Sequence, residues 1–299
     1  MSAADEFVVH SRVIEFRRAA EMRAWASQKY TTPNRKPKMR LNPFSPRFGL
    51  TRRSIQYRHS FARRGLKKHG VDNLVSVASF TDHHTDLHKL CQKYGTDKGH
   101  TDITAHNFGK RRGYTHDYAS VYDLLFSQGR NNIKHLLECG IATLDRRDGI
   151  NPAGSEESAL GPSLRMWREY FPNATITGID IDAHCLFADE RIETYQCDQT
   201  DPQSIQRFLN QIPGRQFDIV IDDGLHEYHA GIALFENMTD RLTDYGVYVI
   251  EDVRQRDVWD YAEYFSGKNY ATRFFLMPKT MDFFGWALLV ITKQSGKVE

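Results

Sequence analysis

From residue 135 onward, short apolar runs alternate with stretches whose apolar residues recur at helical spacing. Residues 135–140 form an apolar run closed by a glycine, and 163–171 read as a helix. A second strand is expected over 175–182, a third over 192–198, and a helix over about 201–211. Residues 217–224 give a fourth strand, 226–242 carry helical periodicity, and 246–252 give a fifth strand. A helix over 258–265 is followed by two further strands, 272–277 and 286–293, with no convincing helix between them. Strands alternating with helices predict a parallel, doubly wound α/β sheet, and the closing hairpin adds one antiparallel strand. The expectation is therefore a Rossmann-like, seven-stranded, mostly parallel sheet.

The N-terminal third reads differently. Residues 5–30 place Phe7, Val8, Val13, Ile14, Phe16, Ala19, Met22 and Trp25 at helical spacing, predicting a helix over 1–30. Residues 31–80 bring Pro33, Pro37, Pro43 and Pro46 together with basic pairs such as Arg52-Arg53 and Lys67-Lys68, the texture of a basic, poorly ordered linker. The folded domain is expected over 81–299. Residues 1–70 hold 17 Lys and Arg against 4 Asp and Glu, so the net charge of +2 conceals a basic arm on an acidic body. Such an arm suits nucleic acid or anionic lipid, yet the acidic body has no basic and aromatic stripe along its cleft, so a nucleic-acid partner is disfavoured.

The four cysteines, Cys91, Cys139, Cys185 and Cys197, show no CxxC pairing, which fits a reducing, cytoplasmic setting. No apolar run approaches the roughly 20 residues of a membrane span.

Candidate chemistry gathers at the strand ends, where doubly wound sheets bind ligands. Glu138 precedes Gly140 at the end of the first strand, Asp180 closes the second, Asp198 and Gln199 the third, and Asp222-Asp223 the fourth. A carboxylate after the second strand suits a ribose diol, and Asp198 is placed to read an adenine amino group. An acid at the first turn favours a cationic cofactor, S-adenosyl-L-methionine, over a pyrophosphate, which wants bare backbone amides. Asp222-Asp223-Gly-Leu-His226 ends the fourth strand and Glu251-Asp252 the fifth. As neighbours, these strands would offer Asp223, Glu251 and Asp252 as hard oxygen ligands for Mg2+, with His226 as general base. Carboxylates gathered in this way repel one another unless a cation or hydrogen bonds join them.

At these residues the sequence resembles the macrocin and mycinamicin sugar O-methyltransferases and the related rhamnosyl O-methyltransferase and cephalosporin hydroxylase group. The resemblance runs from about Leu87 to Lys293. It is carried by residues 93–98 (KYGTDK), 161–172 (GPSLRMWREYFP), 178–182 (GIDID), 198–201 (DQTD), 221–226 (IDDGLH) and 249–252 (VIED). It implies a class I methyltransferase fold and Mg2+-dependent methylation of a sugar hydroxyl on a glycosylated natural product or oligosaccharide. The implied metal ligands are Asp223, Glu251 and Asp252, and the implied base is His226. The implied S-adenosyl-L-methionine contacts are Tyr94, Glu138, Gly140, Ser163, Asp180, Asp198, Gln199 and Asp222. Leu225 stands where a serine is usual, and residues 143–161 form a long polar loop. Arg111, Arg112, Tyr114, His116, Trp259, Tyr261 and Phe265 are candidates for acceptor contacts, and a homo-oligomer is compatible with the pattern. Two alternatives are an oxygenase component on the same fold and an RNA methyltransferase guided by the basic arm.

Overall fold

The computed structural model describes residues 75–77, 85–99, 117–141, 160–254, 257–276 and 287–294, the first three by backbone alone. The chain divides into two compact units, Met1–Val77 and Ala78–Glu299. In the first unit a three-residue strand, Val75–Val77, lies inside the segment expected to be linker. The expected helix over 1–30 and the remainder of that linker lie outside the described residues.

The second unit opens with two helices that the periodicity did not announce, α1 (Asp86–Tyr94) and α2 (Tyr118–Phe126). The alternating pattern then follows in order: β1 (His135–Cys139), α3 (Pro162–Tyr170), β2 (Thr175–Asp180), β3 (Ile192–Gln196), α4 (Pro202–Gln211), β4 (Phe217–Asp222), α5 (Tyr228–Met238), β5 (Leu242–Val253), α6 (Val258–Phe265), β6 (Tyr270–Leu276) and β7 (Ala287–Lys293). Within this unit the strands run in the order β6-β7-β5-β4-β1-β2-β3. Every pairing among β5, β4, β1, β2 and β3 is parallel, and β7 runs antiparallel to both of its neighbours. This is the expected seven-stranded sheet with one antiparallel closing strand. β5 starts at Leu242 rather than 246, because the chain passes into the strand soon after α5 ends at Met238.

Local chemistry sets the ends of these elements. Asp201 caps α4 by accepting from the Gln203 amide, and Pro202 follows as its first helical residue, where no donor is needed. The C-terminus of α3 is closed by Arg191, whose guanidinium donates to the carbonyls of Arg168, Phe171 and Ala174. The aromatic cluster of Tyr122, Phe126, Trp167, Tyr170 and Phe171 packs α2 against α3 on one face of the sheet. β1 is buried from Leu136 to Cys139, as a central parallel strand with both faces covered must be.

The chain crosses from one side of β1 to the other between β3 and β4, so β1 and β4 flank the switch in strand order. Their ends meet in register, Cys139 beside Asp222, and the Asp223 amide donates to the Cys139 carbonyl. A crevice opens at such a point, outside the C-terminal strand ends.

Candidate active site

At the crevice the structure brings carboxylates from three strands onto one buried cation. Lys98 lies just after α1 with its side chain 2% exposed, and its Nζ is 2.5 Å from Asp223 Oδ2, 3.0 Å from Glu251 Oε2 and 3.2 Å from Glu138 Oε1. Two tyrosines of α2 add donors: Tyr122 donates to Glu251 Oε1 at 2.5 Å, and Tyr118 donates to Asp252. Burial alone would lower the Lys98 pKa, but the pull of Asp223, Glu251 and Glu138 raises it well above the ordinary lysine value. Burial pushes the Glu251 carboxyl up, with Asp223 adding repulsion and Lys98 opposing both. Glu138 is also raised by burial, and Lys98 and the Ser163 hydroxyl hold it back.

Three candidate ligand atoms, one each from Asp223, His226 and Asp252, lie within 4.8 Å of one another. His226 Nε2 is 3.8 Å from Asp252 Oδ2. His226 and Asp252 have φ of 55° and 52°, and with Arg191 they are the non-glycine residues with positive φ among the described residues. Left-handed backbone at two facing site residues is strain of the kind that clusters at functional sites. Glu251 reaches the same region by another route, with one oxygen on Tyr122 and the other on Lys98.

Asp222 points away from Lys98. Its Oδ1 accepts from Gln199 Nε2 at 3.0 Å and from the Gly224 amide at 3.3 Å, while its buried Oδ2 has no hydrogen-bond partner. Burial lifts its pKa to about 6, against the opposing hydrogen bond from Gln199. It lines a cavity shared with His226, Gly231, Asp252 and Tyr261. Gln199 uses both ends of its amide inside the fold, its Oε1 accepting from the Leu225 amide, so it braces the turn after β4. Leu225 is 52% exposed at that turn. Asp180 accepts from the Ile141 and Asp182 amides, which fixes its carboxylate at the end of β2. Asp198 accepts from the amide and hydroxyl of Thr200, and these bonds lower its pKa. Gly140 (φ 83°) packs so tightly that a Cβ would lie 2.1 Å from the Asp223 carbonyl oxygen. Tyr94 donates to Glu169 on α3 at 2.5 Å.

The strand-end acids Glu138, Asp180, Asp198, Asp222, Asp223, Glu251 and Asp252 thus all stand at the C-terminal edge of the sheet. Ser163 is buried in the first turn of α3. The acceptor candidates fare unevenly. Arg111, Arg112, Tyr114 and His116 lie outside the described residues, and Tyr261 and Phe265 are core rather than exposed, because α6 turns that face onto α5 and β6. Lys98, Tyr118 and Tyr122 carry no assigned role in the sequence reading. The signal that could have found them is the surplus of buried negative charge, which demands a cation and donors.

No protein-family model matches the chain. It is 32% identical over 144 residues to the 8-demethyl-8-α-L-rhamnosyl tetracenomycin-C 2'-O-methyltransferase of Streptomyces olivaceus, covering 48% of this chain and 35% of that protein. It is 33% identical over 155 residues to the mycinamicin VI 2''-O-methyltransferase of Micromonospora griseorubida, covering 51% and 35%. With the demethylmacrocin O-methyltransferase of Streptomyces fradiae it shares 31% over 179 residues, covering 59% and 38%. The matches therefore span well under half the length of these curated relatives. Among solved structures, the MycE methyltransferase of the mycinamycin biosynthetic pathway, in complex with Mg, SAH and mycinamycin VI, superposes with a TM-score of 0.50 at 25% identity, covering 71% of this chain and 56% of that one. A second form of the same enzyme, with Mg and SAH, gives 0.50 at 23% and shares the fold. In its Rossmann-like body, this chain is similar to the sugar O-methyltransferases of antibiotic pathways.

Proposed function

We propose that the chain is an S-adenosyl-L-methionine-dependent, Mg2+-dependent O-methyltransferase acting on a sugar hydroxyl of a glycosylated natural product or oligosaccharide. The observation that carries this reading is the meeting of Asp223, His226 and Asp252 within 4.8 Å at the strand ends. It is supported by relatives named as O-methyltransferases of rhamnosyl and olivosyl compounds, and by a similar methyltransferase structure in complex with Mg and SAH.

The donor set fits a hard divalent ion, because carboxylate oxygens dominate it. Asp223, Glu251 and Asp252 are the proposed holders; Asp223 and Asp252 stand in the group with His226, and Glu251 is tied to Asp223 through Lys98. A bound Mg2+ would lower the pKa of a coordinated sugar hydroxyl and fix its orientation. His226 takes the hydroxyl proton at Nε2, and Asp252 Oδ2 stabilises the imidazolium that results. A bound S-adenosyl-L-methionine would supply the methyl group to the sugar oxygen, with its thioether as the leaving group. Ionised Asp198, together with Asp180, suits the nucleoside end of that donor, and Glu138 its amino group. Tyr118, Tyr122 and Lys98 hold the acids in place and add no step of their own.

Transfer of a labelled methyl group to a rhamnosylated or macrolide-sugar acceptor tests the reading. Product should form with Mg2+, vanish with EDTA and return when Mg2+ is restored. His226→Ala should cost on the order of 10²–10⁴-fold in turnover while cofactor binding survives. Turnover indifferent to EDTA would sink the metal role, and a fully active His226→Ala would sink the base.

A further inference from the structure

We propose that Lys98 is a positioning residue that serves the acid cluster as its resident counter-cation and sets how tightly the site holds a divalent ion. The inference rests on the metal reading above. One ammonium joins the ends of three strands: Glu138 from β1, Asp223 from β4 and Glu251 from β5, at 3.2, 2.5 and 3.0 Å. Lys98 is built into its place. Its carbonyl accepts from the Ala119 amide at the start of α2, and its own amide donates to Thr96 Oγ1. The next residue, Gly99, sits so close to α1 that a Cβ there would lie 2.6 Å from Cys91 Cβ. A side chain anchored this firmly, with 2% exposure, is no surface lysine that happens to reach an acid.

Two consequences follow from its charge. Without a metal, Lys98 and the hydroxyls of Tyr118 and Tyr122 donate to Asp223, Glu251 and Asp252, and the Lys98 charge lies 3.2 Å from Glu138, whose oxygens accept no hydrogen bond among the described residues. With a metal, Lys98 shares Asp223 with the ion and repels it, so the site binds more weakly than its carboxylates alone dictate. The fixed ammonium thereby keeps the ion exchangeable and holds Asp223 and Glu251 in register.

The test measures Mg2+ binding to the purified full chain by calorimetry, with thermal unfolding in metal-free and Mg2+ buffers, for the wild type and Lys98→Met. The variant should bind Mg2+ at least about tenfold more tightly, since a unit charge a few ångströms away is lost. Its Tm should also rise more on adding Mg2+ than that of the wild type. Lys98→Arg, which keeps the charge, should return the affinity toward the wild-type value. If Lys98→Met is unfolded in metal-free buffer, excess Mg2+ should restore a cooperative transition. The proposal is overturned by a folded Lys98→Met that binds Mg2+ no more tightly than the wild type, or by an unfolded one that Mg2+ does not recover. A wild type that binds no Mg2+ overturns the metal reading itself, and this inference with it.

Discussion

Replacing Gly140 with alanine should damage fold and site together, and by an amount the geometry allows one to work out. The residue has φ of 83°, where an L side chain is strained by about 1–2 kcal/mol. Its added Cβ would stand 2.1 Å from the Asp223 carbonyl oxygen and 2.9 Å from Gly224 Cα, both backbone atoms that cannot rotate away. Relief requires the turn after β4 to retreat from β1 by about 1 Å, since ordinary contact begins near 3.4 Å. That movement breaks the bond from the Asp223 amide to the Cys139 carbonyl, now 2.9 Å, at a further cost of about 1–2 kcal/mol. The total is about 3 kcal/mol, or on the order of 10²-fold in the folding equilibrium. Urea unfolding followed by circular dichroism measures it. Gly129→Ala serves as the control, because nothing lies within 4 Å of a Cβ there and its φ is −111°. Asp223 also moves, so Mg2+ affinity should fall in the folded fraction of Gly140→Ala. A loss below about 1 kcal/mol, or one no larger than in the control, would refute the claim that the turn is packed against β1 without slack.

Other perturbations probe single contacts. Tyr122→Phe removes the donor to buried Glu251 and should cost about 1.5–3 kcal/mol by urea denaturation. Tyr248→Phe removes a buried hydroxyl that has no partner, so it should be neutral or stabilising in the same assay. Burial raises the Asp222 pKa from 3.8 to about 6, so the stability it contributes is full below about pH 4 and is lost as pH rises through 6. Asp222→Asn should therefore flatten the stability profile between pH 4 and 8 by up to about 3 kcal/mol, and an unchanged slope would remove that residue as its source. Asp201→Ala removes the cap of α4 and should cost about 1 kcal/mol in thermal unfolding, with little effect on Mg2+ binding.

The strands and the positions of the acids were legible because the central parallel strands read as apolar runs with a carboxylate at or near their ends. The partners of those acids were not legible, for two physical reasons. The first is that α2 buries Tyr118, Ala119, Ser120, Val121, Tyr122 and Phe126, so it shows no polar stripe and no helical period. Yet α2 supplies both tyrosine donors, and Lys98 comes from the loop before it, 125 residues from Asp223 and 153 from Glu251 in sequence. The second reason lies in strand geometry, where successive side chains leave on opposite faces. Glu251 and Asp252 are adjacent in sequence, and reading them as one cluster overlooks this alternation. Glu251 turns inward to Lys98 and Tyr122 at 2% exposure, while Asp252, with left-handed backbone, turns to Tyr118 and His226. Asp222 and Asp223 divide in the same way, one to Gln199 and one to Lys98. Each acidic pair therefore places one carboxylate on the Lys98 ammonium and presents the other elsewhere. One cation that the packed acids require is thus a residue of the chain itself, and Asp223 stands both on that ammonium and in the group with His226 and Asp252 proposed for Mg2+.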